Sequence, residues 1–122
     1  MSVIVDDLIS AISSDLLIRG HRGLRFLHEV NDFPCFYLHA GSERFVHIGA
    51  GQRLAVISAD IRIYNYGDDI ETLLRRIETC VQNYFDPRVD EFRVTEVSTD
   101  EGLMAPYQIA DLKLEILYRK LK

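Results

Sequence analysis

The side chains with the most chemical potential lie together in the stretch HAGSERFVHIGAGQR, from His39 to Arg53. It contains two histidines, three glycines and two arginines within fifteen residues. Histidine binds metals through its ring nitrogens, and a glycine-rich turn that opens a helix can bind phosphate. Arginine beside aromatic residues is instead typical of protein interfaces. The stretch therefore suggests three hypotheses: a metal site, a phosphate site, or a surface that contacts another protein.

The spacing of the histidines argues against a metal site. The four histidines of the chain are seven, eleven and eight residues apart. No two of them form the i, i+4 pair that holds zinc on a helix. His39 could approach His47 if the segment folds back on itself, with Glu43 as a third ligand. We predict no metal and no cofactor, and we keep a small metal-dependent enzyme that uses His39 and His47 as an alternative.

The glycines do not form a phosphate-binding motif either. Gly49 and Gly51 lack the third glycine of a dinucleotide fingerprint, and a strand pattern follows them where phosphate binding needs a helix. Asp60 and the carboxylates of DPRVDEF have no nucleophile near them in the sequence. No serine or cysteine lies in the context of a nucleophile elbow. We predict that the chain is not an enzyme.

Charge is distributed unevenly along the 122 residues, whose formal net charge is −5. Residues 19–62 carry six arginines against four acids, whereas residues 1–18 carry three acids and no base. An acidic protein is a poor general binder of nucleic acid. A basic middle and acidic flanks would instead suit association between copies. The two cysteines, Cys35 and Cys80, lie among apolar neighbours and are interpreted as reduced thiols, with a disulfide as the alternative.

Hydrophobic periodicity predicts six elements in a single domain, 1–122. Helical spacing predicts a helix at the start and another over GDDIETLLRRIETCVQNYF. Apolar residues in strand patterns predict strands over CFYLHA, RLAVISADIRIYNY, RVDEFRVTEVS and YQIADLKLEILYR. The order αββαββ predicts an α+β fold, a two-layer sandwich with two helices on a four-stranded mixed or antiparallel sheet. Residues 40–52 are predicted to form a long loop between the first two strands.

The chain resembles a known family in these same features. They are the αββαββ order, the DFPCFYLHAGSE entry, the strand AVISADIRIYNY running into DDIETLLRRIETCVQNY, and the ending VSTDEGLMAPYQIADLKLEILYR. These are similar to the tail terminator, or tail completion, proteins of long-tailed bacteriophages. The resemblance implies a structural virion protein without enzymatic activity. Such a protein forms a ring, usually a hexamer, that caps the tail tube, stops its polymerisation and docks the head connector.

This resemblance also implies partners and a location. The partners are further copies of the chain, the tail tube protein and the connector or neck protein, with DNA only as cargo passing through the ring. The first twenty residues lack the basic start of a signal peptide, and no apolar run is long enough for a membrane span. We expect assembly in the host cytoplasm and a final place in the tail or neck of the virion. Another neck or head-closure ring protein of the same particle is the alternative.

Two sets of residues are predicted to serve this assembly. The loop carries arginines and apolar residues with no evident core to join, so we expect it to be poorly ordered before assembly and then to contact a neighbouring subunit or the tube. Acidic turns are expected to face the passing DNA, because like charges repel. The predicted interface comprises Arg22, Arg25, Arg44, Phe45, Val46, His47, Ile48 and Arg53, and the predicted lumen acids are Asp90, Glu91, Asp100 and Glu101.

Overall fold

A computed structural model describes residues 2–23, 30, 33–49, 51–67, 69–100 and 106–121. The described chain forms one five-stranded sheet with two helices packed on one face, which we call the helix face; the other is the back face. None of the helices in these ranges is both long and apolar enough to cross a membrane. In chain order the elements are α1 (Ser2–Leu16), β1 (Arg19–Arg22), β2 (Cys35–Gly49), β3 (Gln52–Tyr66), α2 (Ile70–Asn83), β4 (Glu91–Asp100) and β5 (Tyr107–Leu121).

The prediction of four strands in the order αββαββ is wrong. The structure has five strands in the order αβββαββ, and the sheet order is β1-β2-β3-β5-β4. The additional strand, β1, pairs parallel to β2, whereas all other pairs are antiparallel, so the sheet is mixed. Its sequence, RGHR, has no apolar alternation. The backbone of β2 therefore determines that β1 is a strand, and no local pattern reveals it.

The predicted long loop at residues 40–52 is also wrong. β2 continues to Gly49 and β3 begins at Gln52, so the segment is a long hairpin. Gly51 lies in the turn with φ of 73°, a conformation that tight hairpin turns require and that glycine adopts without strain. The pairing of β2 with β3 shifts register twice, between Ala40 and Glu43 and between His47 and Gly49. These bulges interrupt the alternation by which the sequence would reveal a strand.

The main core lies between the helices and the helix face. Alternate residues of β3, such as Ile57, Ile61 and Ile63, are fully buried there. The apolar stripe of α2 covers them, and its members Ile70, Leu73, Leu74, Ile77 and Val81 are all buried as its helical spacing predicts.

A smaller cluster occupies one end of the back face. Val30, Cys35, Tyr37 and Tyr64 pack together there, with Phe33 against them. Cys35 thus belongs to the back face, whereas Cys80 packs against the main core on the helix face, and both thiols are free. Their positions on opposite faces of the sheet do not fit the alternative of a disulfide between them.

β1 can lie close to β2 because Gly20 has no side chain and leaves room for the ring of Phe36. Gly20 pairs with Phe36, and a Cβ atom added at Gly20 would lie 2.7 Å from a ring carbon of Phe36. Real Cβ atoms essentially never come so near another heavy atom. Phe36 is fully buried, so its ring has little room to move.

We expect Gly20→Ala to destabilise the fold by about 1–3 kcal/mol, the usual cost of overpacking a core. Gly49→Ala is the matched control, because a Cβ atom there meets nothing within 4 Å. Urea unfolding measures both. Equal stability of the two variants would show that the contact between Gly20 and Phe36 does not hold β1 in place.

Candidate functional site: an uncovered arm and two strand edges

The three longest strands extend beyond the helices. A strand of 15 residues spans about 50 Å, whereas a helix of 15 residues spans about 22 Å; β2, β3 and β5 each have 15 residues, and α1 and α2 have 15 and 14. We call the uncovered part the distal arm: residues 43–49 of β2, 52–56 of β3 and 117–121 of β5. Among its described side chains, only Tyr118 packs against the helix-covered core. The helices are too short to cover the whole arm, so Phe45 and His47 are exposed on its helix face, whereas Ala55 is still buried there.

The helix face of the arm carries an aromatic and charged cluster. Phe45 is 39% exposed, and the guanidinium carbon of Arg53 lies 4.3 Å from the centre of its ring. A cation over an aromatic face is attracted by the ring quadrupole. The Nε of Arg53 is buried and has no hydrogen-bond partner in the described part of the chain. This face thus presents an aromatic ring beside a cation.

Next to this pair, β5 is tied to β2 through side chains. The hydroxyl of Tyr118 donates a hydrogen bond to the carboxylate of Glu43. Burial, followed by this bond, raises the pKa of Tyr118 to about 12. The phenol therefore stays protonated throughout the physiological range and remains a donor to Glu43.

The back face of the arm carries an exposed aliphatic residue and an ion pair instead of an aromatic ring beside a cation. Val46 is 44% exposed, and Arg44 forms an ion pair of 3.0 Å with Glu115 of β5. A shallow pocket of about 420 Å³ lies nearby, at the start of β4. Its lining residues are Gln52, Leu54, Asp90, Glu91, Leu117 and Arg119.

Ion pairs cross the back face from strand to strand. Arg62 of β3 bonds Asp111 of β5 at 2.9 Å, and Lys113 of β5 lies 3.7 Å from Glu96 of β4. Opposite charges on neighbouring strands stabilise a sheet modestly. These pairs make the middle of the back face polar.

The predicted interface residues are brought together only in part. Arg44, Phe45, Val46, His47 and Arg53 all lie in the arm, and Ile48 is on the same strand. The strand register divides the described side chains between two faces: Phe45, His47 and Arg53 are on the helix face, and Arg44 and Val46 are on the back face. The predicted set is therefore two surfaces.

Two arginines of that predicted set lie away from the arm. Arg22 ends β1 and pairs with Asp6 of α1 at 2.9 Å. Arg25 lies outside the described residues.

The predicted lumen acids lie at opposite ends of β4. Asp90 pairs with Arg119 at 3.2 Å, and Glu91 with Arg93 at 2.6 Å, so both charges are locally compensated. Asp100 ends the strand, and Glu101 lies outside the described residues.

The alternative of a metal site at His39 and His47 does not fit this geometry. The register places His39 opposite Asp60 on the back face and His47 opposite Arg53 on the helix face. Two side chains on opposite faces of one strand cannot bind one ion. Glu43 shares the helix face with His47 but is bonded to Tyr118. Within the described ranges, no group of three potential ligands could hold a metal.

Two open strand edges are the feature that sequence reasoning missed. β1 pairs with β2 only as far as Leu38, which leaves residues 39–49 of β2 without a neighbouring strand on that side among the described residues. β4 is the last strand of the described sheet and pairs with β5 alone. The charged pattern of β4, with Glu91, Arg93 and Glu96, is the one signal of an edge strand in the sequence.

A cluster of ion pairs, which we call the ionic clasp, is formed by Asp7, Asp86 and Arg88 and lies just before β4. Asp86 is 3% exposed, and its two carboxylate oxygens accept bonds from the Nε and Nη2 of Arg88 at 2.9 and 2.6 Å. The same Nη2 donates to Asp7 of α1 at 2.5 Å. The bond from Arg88 holds the pKa of Asp86 below its ordinary value. The clasp therefore joins α1 to the segment that leads into β4.

Long strands with open edges can pair with a further strand. No family model matches the chain. It is 26% identical over 110 aligned residues to the tail tube terminator protein of Escherichia phage T5, an alignment that covers 75% of this chain and 68% of that protein. The resemblance to bacteriophage tail terminator proteins is confirmed.

We expect Asp86→Asn to lower the free energy of unfolding at neutral pH, because it removes the charge that Arg88 binds. A carboxylate with a lowered pKa stabilises the fold above the ordinary pKa of about 3.9, and that contribution disappears as pH falls through the folded-state value. The difference between wild type and variant should therefore be largest near neutrality and vanish in acid. Urea unfolding at a series of pH values measures it.

Asp6→Asn is the control for this prediction, because its pair with Arg22 is exposed and such pairs contribute about 0–1 kcal/mol. A constant difference between wild type and Asp86→Asn from neutral to acid pH would contradict the role of the clasp.

Proposed function

We propose that this chain is a tail terminator: copies of it form a ring, of six subunits by analogy with the family, that caps the tail tube and stops its polymerisation. The observation that carries the proposal is the similarity to the tail tube terminator protein of phage T5, which extends over three-quarters of the chain. The same ring would provide the surface on which the head connector docks. It would assemble in the host cytoplasm and remain in the virion tail.

The uncovered arm supports an assembly role. A ring needs one surface of a subunit to fit a different surface of its neighbour. Phe45 and Val46 point to opposite faces of the arm and are 39% and 44% exposed. Apolar side chains beside Arg44 and Arg53 have the composition of interface anchors. We assign the arm to contact with a neighbouring copy or with the tube.

The back face suits the passage of DNA. Its basic residues Arg62, Lys113 and Arg93 are each within ion-pair distance of a carboxylate, so none of them offers a free cation to phosphate. The acids at the two ends of β4, Asp90, Glu91 and Asp100, lie on this side of the sheet. We place this face and these acids, together with Glu101, toward the channel.

The proposed function is tested by mixing the chain with polymerising tail tube subunits. We expect it to bind one tube end, to halt growth there and to shorten the length distribution that electron micrographs record. Rings that bind the connector but never a tube end would favour the alternative, another neck or head-closure protein. A chain that stays monomeric by native mass spectrometry in the presence of tubes, and leaves tube growth unchanged, would contradict the proposal.

The arm is tested in the same assay with Phe45→Asp and Val46→Asp. Both side chains are partly exposed, so we expect folded monomers that lose ring formation and tube capping at least tenfold, about 1.4 kcal/mol or more of contact energy. Phe85→Asp is the matched control, because Phe85 is 80% exposed and lies outside the arm. If all three variants cap tubes equally well, the arm does not form part of the interface.

A further inference from the structure

The two open edges of the sheet have complementary properties. One is the edge of β2 beyond Leu38, residues 39–49, and the other is β4, Glu91–Asp100. Each presents a row of backbone N–H and C=O groups with no partner strand among the residues described. An unpaired edge of this kind can pair with a strand of another chain, and many proteins bind their partners by adding a strand to such an edge.

We propose that these edges pair with each other between copies: β4 of one subunit adds antiparallel to the arm segment of β2 in the next. This inference rests on the proposed ring function and specifies the contact that closes the ring. It commits to one partner, a second copy of this chain.

Strand direction supports the pairing. β2, β3, β5 and β4 alternate in direction, because each neighbouring pair in this series is antiparallel. Within one subunit β4 therefore runs opposite to β2. Copies related by rotation about an axis inclined to the strands keep the direction of each strand along that axis, so β4 meets the next β2 antiparallel. The two edges differ, so the contact is heterologous and can propagate around a ring until it closes.

The side chains favour one register. If Phe45 lies opposite Val97 of the next copy, two apolar side chains meet on the helix face, where Phe45 is 39% exposed and Val97 is half-buried. Arg44 then lies opposite Ser98 on the back face, with the carboxylates of Glu96 and Asp100 on either side. Cross-strand and diagonal neighbours of this kind are close enough to interact. Phe45 thus meets an apolar residue on the helix face, whereas on the back face Arg44 lies between two carboxylates and Val46 lies opposite Glu96.

This register displaces neighbouring copies along the strands. Within one subunit, Glu91 is level with Arg44 through Leu117 and Val56. The proposed register brings Ser98 to that level instead, a displacement of about seven residues. Strands that tilt as a sheet closes around an axis show staggers of this kind. The displacement also carries β4 past the end of β1, which pairs only as far as Leu38.

Both edges also contain bulges and charged residues that hinder pairing with strands of unrelated proteins. β4 has a register shift between Val94 and Glu96, and β2 has shifts on either side of the segment that would pair. Bulges and charges on edge strands prevent indiscriminate aggregation. A second copy is the partner whose bulges and charges are fixed by the same sequence, so the two edges can be matched to each other.

The test is disulfide cross-linking of the assembled chain with Val46→Cys and Glu96→Cys in the same polypeptide. These positions lie opposite each other across the proposed contact. We expect a ladder of covalent oligomers under oxidising, denaturing conditions, up to the number of subunits in the ring. Mixing chains that carry one substitution each should give dimers and nothing larger, because the contact is heterologous.

The matched control combines His47→Cys with Glu96→Cys. His47 is the next residue on the same strand but lies on the helix face, whereas Glu96 lies on the back face. If the two edges pair as proposed, these two cysteines cannot form a disulfide and no ladder of oligomers appears. The native thiols add little background, because Cys35 is buried and burial raises the pKa of Cys80 to about 11. A ladder from this control equal to that of the first pair would overturn the proposal.

A second measurement needs no substitution. Amide hydrogen exchange of the wild-type chain should slow on assembly at residues 43–49 and 93–99, where edge N–H groups gain partners. β3 should change little, because it is already paired on both sides. Rings that form without protection of these edges would overturn the edge contact and leave the proposed function standing. Failure of the wild-type chain to form rings would instead contradict the proposed function.

Discussion

Backbone pairing of β3 is the constraint on which the rest of the structure depends. All 15 of its residues pair with β5, and most of them pair also with β2 on the other side. Three strands of this length form a sheet about twice as long as either helix. The core can therefore form over only part of the sheet, and the remainder must stay in water or be covered by another chain.

The chemistry of the uncovered part follows from that mismatch of length. A side chain in the helix-covered part, such as Ile61, is buried on one face of its strand, between the half-exposed polar residues Asp60 and Arg62 on the other face. In the arm this alternation is lost: Phe45 and Val46 are adjacent, on opposite faces and both exposed, whereas Ala55 and Val56 of the next strand are both buried. The backbones of the three strands pair along the arm, and the Arg53 guanidinium over Phe45 and the bond between Tyr118 and Glu43 add side-chain contacts between them. These contacts cross the strands of the arm and leave Phe45 and Val46 partly exposed.

The sequence predicted the elements that bury one face and missed those that do not. The sequence predicts α2 and β3 because each buries one side and exposes the other, so apolar residues recur at the period of a helix or a strand. β1 has no apolar pattern, and its pairing with β2 depends on Gly20 accommodating Phe36, a contact between residues far apart in sequence. The arm was interpreted as a loop because its apolar residues do not alternate and two bulges break its period. For the site, residue type pointed to Arg44, Phe45, Val46, His47 and Arg53, but the faces on which they lie, and the open edges, depend on register and strand order.

The central claim is that copies of this chain close the end of a tail tube through the distal arm. Electron cryomicroscopy of tubes capped with the chain tests it most directly. We expect a single ring at one tube end in which the arm of every copy is buried against a neighbouring subunit or the tube. A ring whose subunits meet through their helices while the arms project into solvent, or tube ends without the chain, would contradict the account.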